Sequence, residues 1–342
     1  MAAPSNFPRS VPLSILDLAI VNSGEAIADA FRNVVAVAQL AERCGYRRIW
    51  YAEHHNMASI ASSATSVLIA HVAAHTSSIR LGAGGIMLPN HSPLAIAEQF
   101  GTLETLHPGR IDLGLGRAPG SDQPTMRALR RDARSSDRFP ADVLELQAFL
   151  SDHSAIEGVK ATPGAGTNLP LYILGSSLFG AQLAAHLGLP YAFASHFAPD
   201  SLVEAVELYR REFQPSAQLS KPYVIAAASV IVADEDGDAA AQRELVVRSR
   251  VALFLGGGRE LAEEEIDRLL LSPQGRQVQH MMKYSVAGQP AVVSEYLESF
   301  ASLAHADELI IVCASPTIAQ RLRSIELLAD EWGLQPREAA TN

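Results

Sequence analysis

Cysteine is scarce in this chain. Cys44 and Cys313 are the two among 342 residues, and no CxxC or Cys/His cluster surrounds either. That excludes a disulfide framework and a cysteine-ligated zinc site, and it makes a reducing cytoplasm the expected compartment. No metal site is expected: His71 and His75 stand one helical turn apart without a third ligand, which reads as a helix surface. Long apolar runs are also missing. The longest, residues 223–233, falls far short of the ~20 residues that span a bilayer. The N-terminal "MAAPSNFPRSVP" has no apolar core of signal-peptide length. Positive charge is in deficit, with 27 Lys and Arg against 37 Asp and Glu. A net charge of −10 argues against a nucleic-acid or anionic-membrane partner. Phosphate-loop signatures are absent too. There is no Walker A sequence and no G-x-G-x-x-G turn behind the first apolar run. "GLGRAPG" (114–120) comes nearest, but Pro119 stands where the third glycine belongs.

What the chain does have is alternation. An apolar content of 48% supports a sizeable core. Short apolar runs occupy 13–20, 47–53, 78–84, 110–116, 171–175, 191–195, 223–233 and 308–314. Most are nearly continuous, as parallel strands covered on both faces require. Between them lie amphipathic segments. In 25–44, Ile27, Phe31, Val34, Val35, Ala38 and Ala41 share one helical face, and Gly45 sits at the stop. "HSP" (91–93) and "ASP" (314–316) each offer a Ser N-cap followed by Pro at the first helical position. Gly188 closes another helix. Eight strand–helix pairs predict a single α/β domain over 1–342, a (β/α)8 TIM barrel. The competing reading, a doubly wound open sheet, lacks its glycine turn. Two connections are long, 118–170 after the fourth strand and 234–307 after the seventh. The stretch 256–290 within the second is a candidate lid, or a solvated acidic helix with a loop.

In such a barrel the reactive groups gather where strands end. "RIWYAEHHN" (48–56) places Glu53, His54 and His55 at the end of the second strand. One of Trp50 and Tyr51 faces the interior, since side chains alternate along a strand. An imidazole at the mouth moves protons near neutral pH. The alternative is a strand end capped by hydrogen-bonded histidines, and His55 fits that role. "GAGG" (82–85) leaves room for a flat ligand against the backbone. Arg117 ends the fourth strand and suits a phosphate or carboxylate. "GSSLFG" (175–180) turns into a helix N-terminus, where backbone N–H groups favour an anion. Together these ends read as a seat for a planar, phosphorylated cofactor. Asp17 and His196 are candidates to face a substrate. Asp112 reads as a satisfied core group, and Met281 and Met282 as ordinary packing.

These motifs resemble the bacterial-luciferase-like flavin monooxygenases, particularly the non-luminescent branch. The likeness runs from about Leu13 to Trp332. It is carried by "AERCGYRRIWYAEHHN" (41–56), "LGAGGIMLPNHSPLAIAEQFGTLETLHPGRIDLGLGRAPG" (81–120) and "LGSSLFGAQLAAHLGLPYAFASHFAP" (174–199). The resemblance implies a barrel that binds FMN at its C-terminal mouth. The FMN arrives reduced, as FMNH2, from a separate, transient flavin reductase. One atom of O2 then enters a small organic substrate by way of a flavin C4a-peroxide. The family's essential histidine falls on His54, with Glu53 beside it as orienting partner. Arg117 falls where the flavin phosphate is met, and Ser176, Ser177 and Gly180 fall on the phosphate cradle. Bacterial luciferase has a glutamate and a threonine in that turn, so backbone donors carry more of the holding here. A non-proline cis peptide is implied at Gly84–Gly85, under the flavin ring, and a homodimer through the helices beside strands two and three. Two other readings stay open: a deazaflavin (F420)-dependent oxidoreductase, and a flavin-binding barrel without turnover.

Overall fold

The structure is a computed structural model that describes residues 11–336, apart from residues 23, 119–121 and 258. Pro119 and Gly120 of the glycine-rich stretch therefore lie outside the described residues. Among the described residues the strands are β1 (Leu13–Asp17), β2 (Arg48–Tyr51), β3 (Arg80–Met87), β4 (Ile111–Gly116), β5 (Leu171–Gly175), β6 (Tyr191–Phe193), β7 (Val224–Val232), β8 (Ser285–Gly288) and β9 (Glu308–Cys313). The α-helices are α1 (Ile27–Cys44), α2 (Thr65–Ala73), α3 (Pro93–Leu106), α4 (Gln123–Ala128), α5 (Phe139–Leu150), α6 (Leu178–Leu187), α7 (Leu202–Glu212), α8 (Asp236–Leu255), α9 (Glu263–Leu270), α10 (Pro273–His280), α11 (Pro290–Leu303) and α12 (Ile318–Trp332).

Strands β1 to β7 pair in parallel in sequence order, β7 pairs with β9, and β9 returns to β1. This closes the expected eight-stranded barrel. Closure leaves no edge, and it lets each strand bury both faces. The buried residues split by parity. Ile15, Ile49, Tyr51, Leu81, Ala83, Leu113, Ile173 and Ile311 face the ring of helices. Leu16, Trp50, Ala52, Tyr172, Ala192, Ile225, Ala227, Ile310 and Val312 fill the interior. Trp50 is thus the inward member of its pair.

The N-terminal end of the interior is closed by an ionic network. Arg48 and Asp112 are completely buried there and donate and accept at 2.8 Å. Arg48 also donates to the Tyr172 hydroxyl at 2.7 Å and to Glu308 at 3.1 Å. Asp112 takes further bonds from Trp50 Nε1 and from Arg80. Glu308 accepts from Ser14 and from the Tyr223 hydroxyl. Every charge in the plug has an opposite partner, which a low-dielectric interior demands. Asp112 is the satisfied core group expected of it.

Several boundaries differ from expectation. A ninth strand, β8, extends β7 outside the barrel, where Ser229–Val232 align with Ser285–Gly288. Its sequence, SVAG, is short, small and only partly buried, so no apolar run announces it. It also converts part of the candidate lid into sheet. Pro316 does not open a helix. Thr317 is the N-cap of α12, in a capping box with Gln320, which satisfies two orphan N–H groups that Ser315 would leave free. Ser92 and Pro93 do open α3 as expected, and Gly45 and Gly188 close α1 and α6 in the left-handed region. β1 stops at Asp17 because its carboxylate accepts the Ala19 N–H at 2.7 Å and pairs with Arg321 at 2.9 Å. Asp17 belongs to the outward parity and does not face a substrate. His71 on α2 and His75 just beyond it lie on the surface with their rings tilted, centroids 4.6 Å apart.

Candidate active site

β2 ends at Tyr51, so Glu53, His54 and His55 lie just beyond it on the C-terminal rim. Glu53 is only 1% exposed. Its Oε1 accepts from His55 Nε2 and from His91 Nε2, both at 2.8 Å, and its Oε2 accepts the Met87 N–H at 3.0 Å. Burial alone would raise its pKa, but the His91, His55 and Met87 donors outweigh burial and hold the carboxyl below its usual value. The carboxylate ties the post-β2 loop to the end of β3. These three side chains are also close enough to hold a cation, yet each hydrogen bond just named already occupies them. His54 sits between two residues fixed in this way. It is half-buried, and burial lowers its pKa. Among the described residues no hydrogen bond holds its ring, so both ring nitrogens stay available to a ligand.

The wall next to His54 is thin. Gly84 faces the interior between Leu16 and Trp50, where a Cβ would lie 2.8 Å from Leu16 Cδ1 and 2.9 Å from Trp50 Cβ. Gly114 is tighter still, with the Ala83 carbonyl oxygen 2.2 Å from any Cβ. A side chain at Gly114 would have to move backbone, and one at Gly84 would have to displace the Leu16 and Trp50 side chains. The Gly84–Gly85 peptide is cis, at the position the resemblance implied.

Arg117, Ser176 and Ser177 are brought together on the same rim. Gly116 of β4 aligns with Leu174 of β5, which puts the two strand ends side by side. The Arg117 guanidinium lies 4.2 Å from the centroid of the Phe179 ring, on the first turn of α6. That contact holds the charge over the helix N-terminus. Ser177 is the N-cap of α6, but its side chain makes no capping bond. Ser176, Ser177, Leu178 and Phe179 are all exposed. Gly180 packs against Tyr191, whose hydroxyl donates to the Ser177 carbonyl at 3.0 Å. Among the described residues the Ser176 and Ser177 hydroxyls and the Arg117 guanidinium have no hydrogen-bond or ion-pair partner, and beside an open helix N-terminus such groups can accept an anion.

Just beyond β6, the strand beside β5, lies His196. Its Nδ1 is enclosed and has no hydrogen-bond partner. Burial, with the charges of Arg250 and His54 adding to it, pushes its pKa down to about 3. The His196 ring is therefore neutral throughout the physiological range. Sequence reasoning named His54 and His196 but missed His91 and Phe179.

The chain matches the model of the luciferase-like monooxygenase family over residues 15–310. It is 47% identical to a luciferase-like monooxygenase of Escherichia coli (strain K12) over 325 residues, 94% of this chain and 97% of the relative. It is 31% identical over 331 residues to the N-acetyl-S-alkylcysteine monooxygenase of Bacillus subtilis (strain 168), covering 94% and 98%. The crystal structure of apo-MsnO8 superimposes with a TM-score of 0.86 at 35% identity, covering 96% of this chain and all of that one. The chain belongs to the luciferase-like monooxygenase family.

Proposed function

We propose that the chain is a reduced-FMN-dependent monooxygenase acting on a small organic substrate. The observation that carries this reading is the exposed, uncapped start of α6 with Arg117 stacked on Phe179 above it. That seat lies on the same rim as His54 and the glycine-thinned wall at Gly84 and Gly85. Reduced FMN, supplied by a separate reductase, would bring the electrons and the ring at which O2 is activated. Arg117, Ser176, Ser177 and the N–H groups near Gly180 would hold its phosphate. Gly84 and Gly85 would lie under its ring. His54 enters as a neutral imidazole and gives or takes a proton at a ring nitrogen that no protein group occupies. Glu53 does not reach the reacting space; it positions His54 by fixing both neighbours of the loop. The helices α8, α9 and α10, which include part of the candidate lid, would shield the rim from water. They are fastened by His280 Nε2 on Asp200 at 2.5 Å and by Arg248 on Asp267 at 2.6 Å. Exposed Val67 and Leu106, on α2 and α3, supply apolar surface for a homodimer beside strands β2 and β3.

Equilibrium titration of FMN, FMNH2 and F420 into wild-type and Arg117→Ala protein tests the reading. FMNH2 should bind more tightly than F420. Loss of one charge-assisted phosphate contact should weaken it by ~1.5–3 kcal/mol, about 10- to 150-fold. Equal affinity in the variant would put the phosphate elsewhere.

A further inference from the structure

Where the chain leaves β2 and β3, three side chains from two segments converge on one point. Glu53 Oε1, His55 Nε2 and His91 Nε2 all lie within 4.8 Å of one another. Both imidazole nitrogens reach the same carboxylate oxygen, each at 2.8 Å. The other oxygen accepts the Met87 N–H at 3.0 Å, which holds the carboxylate in place. His91 is held too. Its N–H donates to the Leu88 carbonyl at 2.9 Å, at the end of the buried turn Leu88–Asn90. The Glu53 side chain is 1% exposed, whereas those of His55 and His91 are 18% and 29% exposed. The carboxylate thus forms a closed floor, and the imidazoles border solvent.

The geometry points to a site for a divalent transition-metal ion such as Zn²⁺, held by Glu53 Oε1, His55 Nε2 and His91 Nε2, with solvent completing its coordination. Two imidazoles and one carboxylate suit such an ion far better than Mg²⁺ or Ca²⁺, which take oxygen ligands. Bonds of about 2.0–2.1 Å in a tetrahedral site set neighbouring ligand atoms roughly 3.3–3.4 Å apart. The 2.8 Å contacts reach that spacing by opening about half an ångström. The ion replaces the two imidazole hydrogen bonds, and each ring then carries its proton on Nδ1. The Met87 N–H stays on Glu53 Oε2 as the outer contact that orients a ligating carboxylate. Glu53 and His55 flank His54, so the ion clamps the His54 loop to the segment that follows β3. His91 comes from beyond the next strand, so no local motif joins the three ligands. The site shares no residue with the phosphate seat at Arg117, and it stands whether or not the chain binds a flavin.

Calorimetric titration of Zn²⁺ into chelator-stripped, full-length protein tests this, with wild type beside His55→Ala, His91→Ala and His71→Ala. Wild type should take up one ion per chain with a Kd of about 1 µM or tighter. His55→Ala and His91→Ala each remove a partly exposed ring, and circular dichroism should show both folded. Each should weaken binding by about 100-fold or more, beyond the 10- to 100-fold that changes around a ligand cost. His71→Ala, which breaks the surface pair on α2, should bind as wild type does, and excess Mg²⁺ should not displace the ion. Wild type that takes up no Zn²⁺ would overturn the proposal. So would wild-type affinity in both His55→Ala and His91→Ala, or a loss confined to His71→Ala, which would put the ion on the α2 surface. Displacement by Mg²⁺ would also overturn it, since the ligands would then be oxygens.

Discussion

The two ends of the barrel are built from the same residue types and treat them in opposite ways. At the N-terminal end Arg48, Asp112 and Glu308 are buried and, with half-buried Arg80, paired with one another. At the C-terminal rim His54 and His196 are drawn from water with few or no protein partners among the described residues. The first arrangement uses charge to close a core. The second leaves polar capacity unspent, which lowers stability but keeps donors ready for a ligand. One end should therefore respond to mutation in stability and the other in binding and rate.

Breaking the plug should have the largest effect. Arg48→Met takes from Asp112 and Glu308 the buried cation they share, leaving Asp112 with Arg80 and Glu308 with Ser14 and Tyr223, and removal of one partner from a buried pair destabilises by about 3–5 kcal/mol. Denaturant unfolding should show that loss, and a change below 1 kcal/mol would mean water reaches the network. At the rim, His54→Ala should leave the unfolding midpoint unchanged and lower kcat by roughly 10²- to 10⁴-fold. Stopped-flow turnover with reduced FMN checks it; normal turnover would remove His54 from the chemistry. Acid should also discriminate between the ends. Burial would raise the Asp112 pKa, but Arg48 and Arg80 hold it below the usual carboxylate value. A carboxyl lowered in the folded state stabilises above its unfolded pKa of ~3.9, and that contribution is lost as pH falls through the folded value. Unfolding free energy should thus drop below about pH 4, with a shallower slope in Asp112→Asn. Equal slopes would assign the acid sensitivity to other groups, Glu53 among them.

The sequence made the barrel legible because strands buried on both faces are continuous apolar runs, and eight of the nine strands have that form. β8 escaped because it is a small, half-exposed addition to β7 with no hydrophobic signature. His54, Arg117 and Ser177 could be placed at strand ends from order alone. Roles that depend on register could not. Asp17 faces the helices because of its parity and its bond to Arg321, 304 residues away. The His91–Glu53 bond joins segments 38 residues apart, and no local pattern encodes it.

The smallest expected effect is the most telling for the contrast. His196→Phe replaces a ring whose Nδ1 is enclosed without a partner by an apolar ring of similar shape. Deleting a satisfied buried group leaves its partner stranded, whereas deleting an unsatisfied one strands nothing. The variant should keep its unfolding free energy within about 1 kcal/mol of wild type or exceed it, as measured by urea unfolding monitored by tryptophan fluorescence. The same exchange at Tyr172, whose hydroxyl serves Arg48 and Asp112, should cost about 1–3 kcal/mol. If His196→Phe instead lost as much as Tyr172→Phe, His196 would have to be a structural member of a satisfied network. The rim would then be built like the plug, and its open polar groups could not be reserved for substrate.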